Sequence, residues 1–500
     1  MNIHFQITFF LFFFSFFLLQ KWRKSRNHLK LPPGPWKLPI FGNLHQLIGS
    51  LPHHALKNLS QKHGPLMHVK LGELQAVVVS SPRIAKEIAK TNDVAFCDRV
   101  ELTLTKIVLY NSTGIASTSY GEYWRQMRKL WVLEFLCPKK VRSFRGLMED
   151  EVSRMVDFIR SRDHRGGREL INLTQMILAL EYKIICKVTV GRVWEDQDQE
   201  SLIQVIKEAV SIAGVFNFAE VFPSMRLLHF LSAGSTRRLK NMHRKVDHIL
   251  EDIIRKHEEK RVSGNDEVED IVDVFLRASE RKDLQVPITR DNIKANILEM
   301  FIAGIETSSL VIEWAMSEMM KNPRALHKAQ VEVRQILQDK QTFQENDIQN
   351  LSYLKMVIKE TLRTHPPGPL LCPRRCRQQS TVDGYDIPVG TIVMINVWAI
   401  GRNPESWHDP EKFEPERFER VDVNYNGNYF EFIPFGAGRR ICPGIAFGMA
   451  GVEIILARLL YHFDWDFPDG IGPEEFDMSE NFGASAGRKN NLCLIAKYVQ

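Results

Sequence analysis

Apolar residues recur at helical spacing over long parts of the chain, and the longest such pattern runs through residues 291–321. Asn322 and Pro323 follow this stretch and end the predicted helix. About 30 residues at a rise of 1.5 Å give a length of about 45 Å, enough to cross the core of a large domain. The same spacing predicts helices over residues 353–365 and 444–463.

Alternation of apolar and polar residues, the pattern of a half-buried strand, is much rarer. Residues 67–71 alternate in this way, and residues 76–79 read Ala-Val-Val-Val, a run rich in β-branched side chains. Gly72 and Glu73 lie between the two runs and predict the turn of a β-hairpin. Few strand patterns follow, so long helices are expected to dominate the structure.

The first segment of the chain is apolar and free of charge. Residues 3–19 are mostly Phe, Leu and Ile, and their number is near the minimum of about 17 for a membrane helix. Basic residues follow at once: Lys21, Arg23, Lys24, Arg26 and Lys30. A cleaved signal peptide, the alternative, has its charge before the apolar run and a small-residue cleavage site after it. Residues 1–20 are therefore predicted to be one uncleaved anchor, with the N-terminus luminal and the remaining chain cytosolic.

The anchor is followed by residues that cannot continue a helix. Residues 31–36 read Leu-Pro-Pro-Gly-Pro-Trp, and proline both fixes φ and disfavours helix in the residue before it. Residues 21–36 are thus expected to form a basic, proline-rich hinge.

Composition excludes several classes of protein. The 500 residues are 44% hydrophobic and 25% charged, which is ordinary for a globular chain with a large core. A net charge of +6 is too small to indicate a nucleic-acid partner. The seven cysteines are odd in number and scattered, which favours a reducing compartment over a disulfide framework.

One cysteine stands in an unusual setting. Cys442 lies in the string Phe-Gly-Ala-Gly-Arg-Arg-Ile-Cys-Pro-Gly, residues 435–444, directly before a predicted helix. A helix N-terminus and the neighbouring Arg439 and Arg440 are both expected to favour a thiolate. A lone thiolate on a glycine-rich loop suits an axial ligand of haem iron. The alternative is an inert buried thiol, the usual fate of a single cysteine.

The whole string decides between these alternatives. It matches the pattern F-x-x-G-x-R-x-C-x-G at Phe435, Gly438, Arg440, Cys442 and Gly444. This resembles the haem-binding loop of the cytochrome P450 monooxygenases. The resemblance implies a mainly helical fold with a small β-rich part, the cytochrome P450 fold, in residues 37–500. It also implies haem b as the cofactor, with Cys442 as the axial iron ligand.

Two further motifs concern the same cofactor. Trp124 and Arg128 are four residues apart, so they share one face of a predicted helix and can both donate hydrogen bonds. By themselves they could equally belong to an ordinary charged surface helix. The resemblance implies that both bind a haem propionate and that Arg374 reaches a propionate too.

The middle of the long helix contains an acid and a hydroxyl among apolar residues. The segment reads Ala303-Gly-Ile-Glu-Thr, and burying Glu306 and Thr307 without partners would be costly. A structural alternative is that Gly304 packs against a neighbour and Thr307 bonds back to the preceding turn. The resemblance implies that Glu306 and Thr307 deliver protons for oxygen activation.

A last motif is structural. Glu360 and Arg363 are three residues apart on a predicted helix, where a routine surface ion pair is the alternative. Together with Arg417 in the segment Pro-Glu-Arg-Phe, they resemble the family's E-x-x-R triad. The resemblance implies that these three residues brace the core beside the haem.

The resemblance is greatest to plant microsomal enzymes of the seventy-one family, subfamily D. It implies hydroxylation or epoxidation of a small apolar specialised metabolite with O2, most often a sesquiterpene or diterpene, while flavonoids (phenolics) and indole alkaloids remain open. The residues expected to line the substrate pocket are small and apolar, which favours an apolar molecule. They are Ile115, Ile302, Ala303, Leu370, Leu371 and Ser485.

Electrons must come from another protein, because neither a flavin domain nor a G-x-G-x-x-G motif after a strand is recognisable. The resemblance implies NADPH–cytochrome P450 reductase at the endoplasmic reticulum membrane. Our hypothesis is that Arg125, Lys129 and Arg439 contribute to its docking surface. Two alternatives differ in class. One is a haem-thiolate isomerase or dehydratase that needs no reductase, and the other is a non-enzymatic haem sensor or membrane interaction protein.

Overall fold

The structure is a computed structural model. It describes residues 29–163, 169–191, 208, 218–225, 230, 232–262, 269–338, 345–421, 423–468, 470–481 and 483–499. The predicted anchor and most of the predicted hinge lie outside the described residues. Residues 29–36 of the hinge contain no helix, and the carbonyl of Pro33 accepts a hydrogen bond from the His68 amide at 2.7 Å, so this part of the hinge is tied to the first strand.

Helices are the main regular element of the described chain, as the periodicity predicts. They are α1 (Pro52–His63), α2 (Pro82–Lys86), α3 (Thr103–Ile107), α4 (Glu122–Leu130), α5 (Pro138–Ser143), α6 (Arg145–Asp163), α7 (Leu173–Val190), α8 (Phe218–Val221), α9 (Ala233–Val262), α10 (Ile271–Ser279), α11 (Arg290–Lys321), α12 (Pro323–Ile336), α13 (Glu345–Gln349), α14 (Ser352–Thr364), α15 (Val397–Ile400) and α16 (Ile445–His462). The predicted helices over residues 291–321, 353–365 and 444–463 are confirmed as α11, α14 and α16, each within one residue.

The strands are short and gather in small sheets. They are β1 (Leu66–Leu71), β2 (Leu74–Val79), β3 (Asp98–Arg99), β4 (Leu170–Asn172), β5 (Arg374–Arg375), β6 (Ser380–Val382), β7 (Tyr385–Ile387), β8 (Ile392–Ile395), β9 (Phe463–Asp466) and β10 (Cys493–Tyr498). The sheet orders are β1-β2-β8-β5-β3, β4-β10-β9 and β6-β7. The predicted hairpin is confirmed, because β1 and β2 pair antiparallel across Gly72 and Glu73.

Helix α11 is the central element of the core. Its start is defined by Thr289, whose side chain accepts a hydrogen bond from the Asn292 amide, an N-cap that satisfies one of the free donors of the first turn. The helix packs against α7, α12, α14 and α16. Both α11 and α16 are long and apolar enough to span a membrane, but 61% and 67% of their apolar windows are buried inside the fold, as befits core helices.

Candidate active site

The Cys442 loop joins a short 3₁₀ turn, Gly438–Arg440, to the start of α16. The amide of Cys442 donates a hydrogen bond to the carbonyl of Phe435 at 2.9 Å, which closes the loop. Gly438 has φ +68°, and a Cβ built on it would lie 1.9 Å from the carbonyl oxygen of Ala89. Only glycine fits this position, because it combines a left-handed conformation with a close backbone approach.

The electrostatic surroundings of Cys442 differ from the expectation. Burial raises the pKa of the Cys442 thiol, while the Gly444 amide and the cation of Arg128 act in the opposite direction. Arg439 and Arg440, predicted to favour the thiolate through their proximity in sequence, are not among the groups that do so. The donors of both side chains bind other groups.

Arg440 and Arg439 have other partners. Arg440 donates hydrogen bonds to the carbonyls of Cys97 and Thr118, each at 2.7 Å, and its guanidinium lies 4.6 Å from the centre of the Trp124 ring. Burial lowers the pKa of Arg440 to about 9. Arg439 pairs with Asp93 at 3.0 Å at the rim of the site.

Arg440 belongs to a buried arginine cluster that the sequence only partly revealed. Arg374 pairs with Asp93 at 3.3 Å and donates to the Ala437 carbonyl at 2.8 Å. Burial, and next the charge of Arg99, lower the pKa of Arg374 to about 10. Arg99 lies opposite Arg374 in the pairing of β3 with β5. Sequence reasoning missed Arg99 because no periodic pattern or motif marks it, and only the long-range strand pairing brings it here.

Trp124 and Arg128 share one face of α4, as predicted. The Trp124 indole donates to the carbonyl of Ile115 at 3.2 Å. Arg128 is half-buried, and burial lowers its pKa. Within the part of the chain that the structure describes, no hydrogen-bond acceptor or carboxylate lies within bonding range of its guanidinium. A shielded cation with free donors beside a lone thiol is an arrangement that an anionic group would satisfy.

These observations fit haem. Arg128 offers free donors, and Arg99, Arg374 and Arg440 carry positive charge suited to propionates. Cys442 supplies a sulfur ligand on a loop narrow enough for close approach.

A short strip of α11 is exposed although the helix around it is buried. Ala303 and Thr307, four residues apart, are exposed, whereas Phe301 and Ile305 between and beside them are buried. Residues four apart lie on the same helix face. A Cβ built on Gly448 of α16 would lie 3.4 Å from Ser308 Oγ, so the helix that follows Cys442 contacts α11 at the residue next to the strip. The strip therefore borders an internal cleft.

The structure also shows the alternative given for this segment, in which Gly304 packs against a neighbour and Thr307 bonds back to the preceding turn. Thr307 Oγ1 donates a hydrogen bond to the Ala303 carbonyl at 2.7 Å. A Cβ built on Gly304 would lie 2.7 Å from Cδ1 of Ile185, so this glycine allows α7 to pack closely on α11. Both features coexist with the exposure of the Thr307 hydroxyl to the cleft.

Glu306 is held by the C-terminal segment. Ser485 donates a hydrogen bond from its hydroxyl to a carboxylate oxygen of Glu306. Burial raises the pKa of Glu306, and the hydrogen bond from Ser485 partly opposes this shift. Ser485, predicted to line the substrate pocket, is thus engaged with the acid.

The other predicted pocket residues differ in how far their side chains are buried. Ile115 is buried, and its carbonyl accepts the Trp124 bond. Leu371 is half-buried beside the cysteine loop, since a Cβ built on Gly436 would lie 3.7 Å from its Cδ1. Ile302 and Leu370 are half-buried.

The predicted triad comes together in the core rather than on the surface. Arg363 donates to both oxygens of Glu360 at 2.7 and 2.8 Å, and neither side chain is exposed. Arg417 donates to the same carboxylate at 2.8 Å. The remaining donors of both arginines bond carbonyls of residues 401–412, so the triad fixes the chain leading to the cysteine loop.

Comparison with known proteins gives the same family throughout. The family model for cytochrome P450 matches residues 32–493. Premnaspirodiene oxygenase of Hyoscyamus muticus is 50% identical to this chain over 99% of this chain and 98% of its own length. 5-epiaristolochene 1,3-dihydroxylase of Nicotiana tabacum has the same identity and coverage. Desmethyl-deoxy-podophyllotoxin synthase of Sinopodophyllum hexandrum is 50% identical over 97% of this chain and 95% of its own.

Relatives at about 50% identity also include members of subfamily 71D, as the resemblance predicted. A zebrafish cytochrome P450 solved with progesterone shares the fold, with a TM-score of 0.76, 23% identity, and coverage of 90% of this chain and 100% of that one. The chain therefore belongs to the cytochrome P450 family of haem-thiolate monooxygenases.

Proposed function

We propose that this monooxygenase hydroxylates or epoxidises a sesquiterpene or, alternatively, a diterpene, with O2 and electrons from NADPH delivered by a separate reductase. The observation that supports this proposal most is the exposed strip of Ala303 and Thr307 in a buried helix. It presents a small apolar surface and one hydroxyl to the cleft beside the helix that follows Cys442. An apolar cleft with few polar groups suits a hydrocarbon-like substrate.

The cofactor would be held by the groups described above. Cys442 would ligate the iron, and Trp124, Arg128, Arg374 and Arg440 would bind the propionates. Phe435, Gly438 and Gly444 would shape the loop. Haem ligated by a thiolate supplies cleavage of the O–O bond and oxidation of an unactivated C–H bond.

The chain's own residues would handle protons and water. The Thr307 hydroxyl faces the cleft and can pass a proton inward, while Glu306 behind it is the nearest titratable group on the same helix turn. Burial raises the pKa of Glu306, which keeps a proton available on its carboxyl. The apolar lining of Ile302, Ala303 and Leu371 would limit water to this route.

The substrate class rests on two kinds of support. Two relatives at 50% identity are named for oxidation of premnaspirodiene and 5-epiaristolochene. A third, at the same identity, is named for a podophyllotoxin precursor. Overall identity does not separate these classes, so a terpene screen should include a flavonoid and an indole alkaloid as comparison substrates.

The reductase would dock on a basic surface around Tyr120. The guanidinium groups of Arg125, Arg377 and Arg439 lie 5.5, 5.4 and 5.8 Å from the centre of its ring. Lys129 is exposed one helix turn beyond Arg125. Opposite charge speeds association and is screened by salt. Turnover supported by reductase should therefore fall at low salt when Arg125 and Lys129 are replaced by glutamate; unchanged turnover would exclude this surface.

The membrane location is proposed from the sequence of residues 1–20, with the endoplasmic reticulum as the site and residues 37–500 as a cytosolic haem-thiolate domain. Large apolar side chains stay exposed at the end of the hinge and just after it. They are Trp36, Ile40, Phe41 and Ile48, with exposed fractions of 66%, 49%, 54% and 80%. Such exposure close to an anchor suits contact with the membrane interface.

The first experiment is a carbon monoxide difference spectrum of the reduced protein in membranes. A far-red-shifted Soret band that is lost in Cys442→Ala is expected for thiolate ligation. A band at the position typical of histidine-ligated haem would overturn the ligand assignment. Product formation should then require NADPH and reductase together. Turnover of a peroxide without reductase would instead favour an isomerase or dehydratase.

A further inference from the structure

Three histidines and a glutamate meet outside the Cys442 loop, where α1, the end of α14 and the C-terminal segment converge. His53 and His54 belong to α1, His365 follows α14, and Glu480 precedes β10. The Nε2 atoms of His53 and His54 lie 2.7 and 3.6 Å from the same carboxylate oxygen of Glu480. Nδ1 of His365 lies 3.8 Å from the other oxygen. The exposed fraction of the Glu480 side chain is only 7%.

Two of these nitrogens have no hydrogen-bond partner. His54 Nε2 and His365 Nδ1 are both shielded from solvent and unpaired among the residues that the structure describes. Their distances to Glu480 are too long for hydrogen bonds. Buried polar atoms without partners are rare in folded proteins and need a specific explanation.

His365 leaves one ring nitrogen for this cluster. Its Nε2 lies 2.7 Å from a carboxylate oxygen of Glu318, so only Nδ1 faces Glu480. Imidazole nitrogens and a carboxylate that face one another in a shielded place are a donor set that suits a divalent cation.

We propose that His53, His54 and Glu480 form a zinc site, with His365 facing the second oxygen of the same carboxylate. The ligand atoms of the first three residues all lie within 4.8 Å of one another. Zinc takes nitrogen and oxygen ligands at about 2.0–2.1 Å in a tetrahedron, which places ligand atoms about 3.3 Å apart. The Nε2 atoms of His53 and His54 lie 2.7 and 3.6 Å from one oxygen of Glu480, on both sides of that value.

The surrounding side chains fit a ligand set of this kind. Glu318 contacts His365 at 2.7 Å and fixes the ring that faces Glu480. The ring of His54 stacks on Trp398 at 4.1 Å, which fixes its direction. Arg402 is a buried cation nearby, but it pairs with Glu411 at 3.1 Å.

The site would connect the first helix to the segment that reaches the active site. After Glu480, the amide of Ala486 donates to the Pro367 carbonyl at 3.0 Å, and the Trp314 indole donates to the Ala486 carbonyl at 2.8 Å. His365 stacks on the same Trp314 ring at 3.9 Å. A metal at Glu480 would therefore stabilise the fold and the placement of this segment. This inference does not depend on the substrate or redox partner proposed above.

The test uses the full haem-containing protein, purified through a tag that contains no histidine. The protein is treated with a chelator, dialysed and titrated with zinc chloride. Bound zinc per haem is measured by mass spectrometry, the melting temperature is followed in parallel, and zinc K-edge absorption reports the ligand shell. We expect about one zinc per haem, nitrogen and oxygen ligands at about 2.0–2.1 Å, and a melting temperature that rises with zinc.

Two variants and one control locate the metal. His54→Ala alters a half-buried ligand and should weaken zinc binding by about tenfold or more, and Glu480→Gln should do the same. His408→Ala, at a side chain that is 89% exposed, should bind zinc like the original chain. If the chelator-treated protein without substitutions fails to bind zinc at micromolar concentration, the proposal is overturned. Equal zinc binding by His54→Ala would mean an adventitious ion only, and would also overturn it. His54→Ala is decisive if Glu480→Gln does not fold.

Discussion

Ser485 donates a hydrogen bond to Glu306 across the boundary between the C-terminal segment and helix α11. The bond connects a segment 179 residues away in sequence to the acid that is proposed to supply protons. Ser485 is therefore placed to orient the carboxyl of Glu306 and to lower the pKa that burial raises. The residue was expected to contact substrate, and its hydrogen bond suggests a positioning role instead.

Ser485→Ala should separate these two roles. Without the hydroxyl, the Glu306 carboxyl loses its fixed direction, so we expect less product and more hydrogen peroxide for each NADPH consumed. The substrate dissociation constant, measured from the spectral shift on binding, should change little. Ser485→Thr keeps the hydroxyl and is the matched control. A weaker substrate affinity with normal coupling would instead assign Ser485 to the substrate pocket.

Thr307→Ala removes the only hydroxyl on the exposed strip of α11 formed with Ala303. Haem content should be retained, because the strip makes none of the contacts that hold the Cys442 loop. Product formation should fall by about 10²-fold, the lower end of what a positioned proton donor contributes, and reducing equivalents should appear as peroxide. Thr307→Ser should restore most of the coupling. Normal coupling in Thr307→Ala would show that the bond to the Ala303 carbonyl is the residue's whole role.

Local patterns predicted the elements of this site well. Helical periodicity gave α11, α14 and α16, because each buries a regular apolar face, and the spacing of five motif residues marked the cysteine loop. The electrostatics around Cys442 could not be predicted in this way. Arg440 lies two residues before Cys442 in the loop but donates to the carbonyls of Cys97 and Thr118. The cation of Arg128, which lowers the pKa of the thiol, comes from another helix, α4.

Contacts between distant segments were the main feature that sequence reasoning missed. Arg99 reaches the arginine cluster only through the pairing of β3 with β5. This pairing involves two residues in each strand, too few for a periodic pattern to predict it. The bond between Ser485 and Glu306 depends on the path of an irregular segment. The burial of Glu360 and Arg363 is a third example, because an acid and a base three residues apart look the same on a surface helix.

Glu360→Ala should be strongly destabilising. The change leaves Arg363 buried without a carboxylate and removes the bond to Arg417. Loss of one partner of a buried ion pair costs about 3–5 kcal/mol. Thermal unfolding and the yield of haem-containing protein should both fall. Arg83→Ala, which breaks an exposed pair with Asp383, is the control and should cost less than about 1 kcal/mol. Similar melting temperatures for the two variants would contradict a bracing role for the triad.

Glu181 should make stability depend on pH. This residue of α7 is buried, and one of its carboxyl oxygens has no partner among the described residues. Burial raises the pKa of Glu181 to about 8, whereas a carboxyl of this type titrates near 4.3 in an unfolded chain. Between these two pH values the folded chain holds a proton that the unfolded chain has released. The free energy of unfolding therefore falls as the pH rises toward 8.

Glu181→Gln should remove this contribution, because the amide stays neutral at every pH. Its melting temperature should exceed that of the original chain at about pH 8.5, and the difference should shrink toward about pH 5, where the carboxyl is protonated in the folded chain. Glu405→Gln, at an exposed position, is the control, and its melting temperature should differ from that of the original chain by the same amount at both pH values. Parallel melting curves for Glu181→Gln and the original chain across this range would show that Glu181 does not hold a proton in the fold.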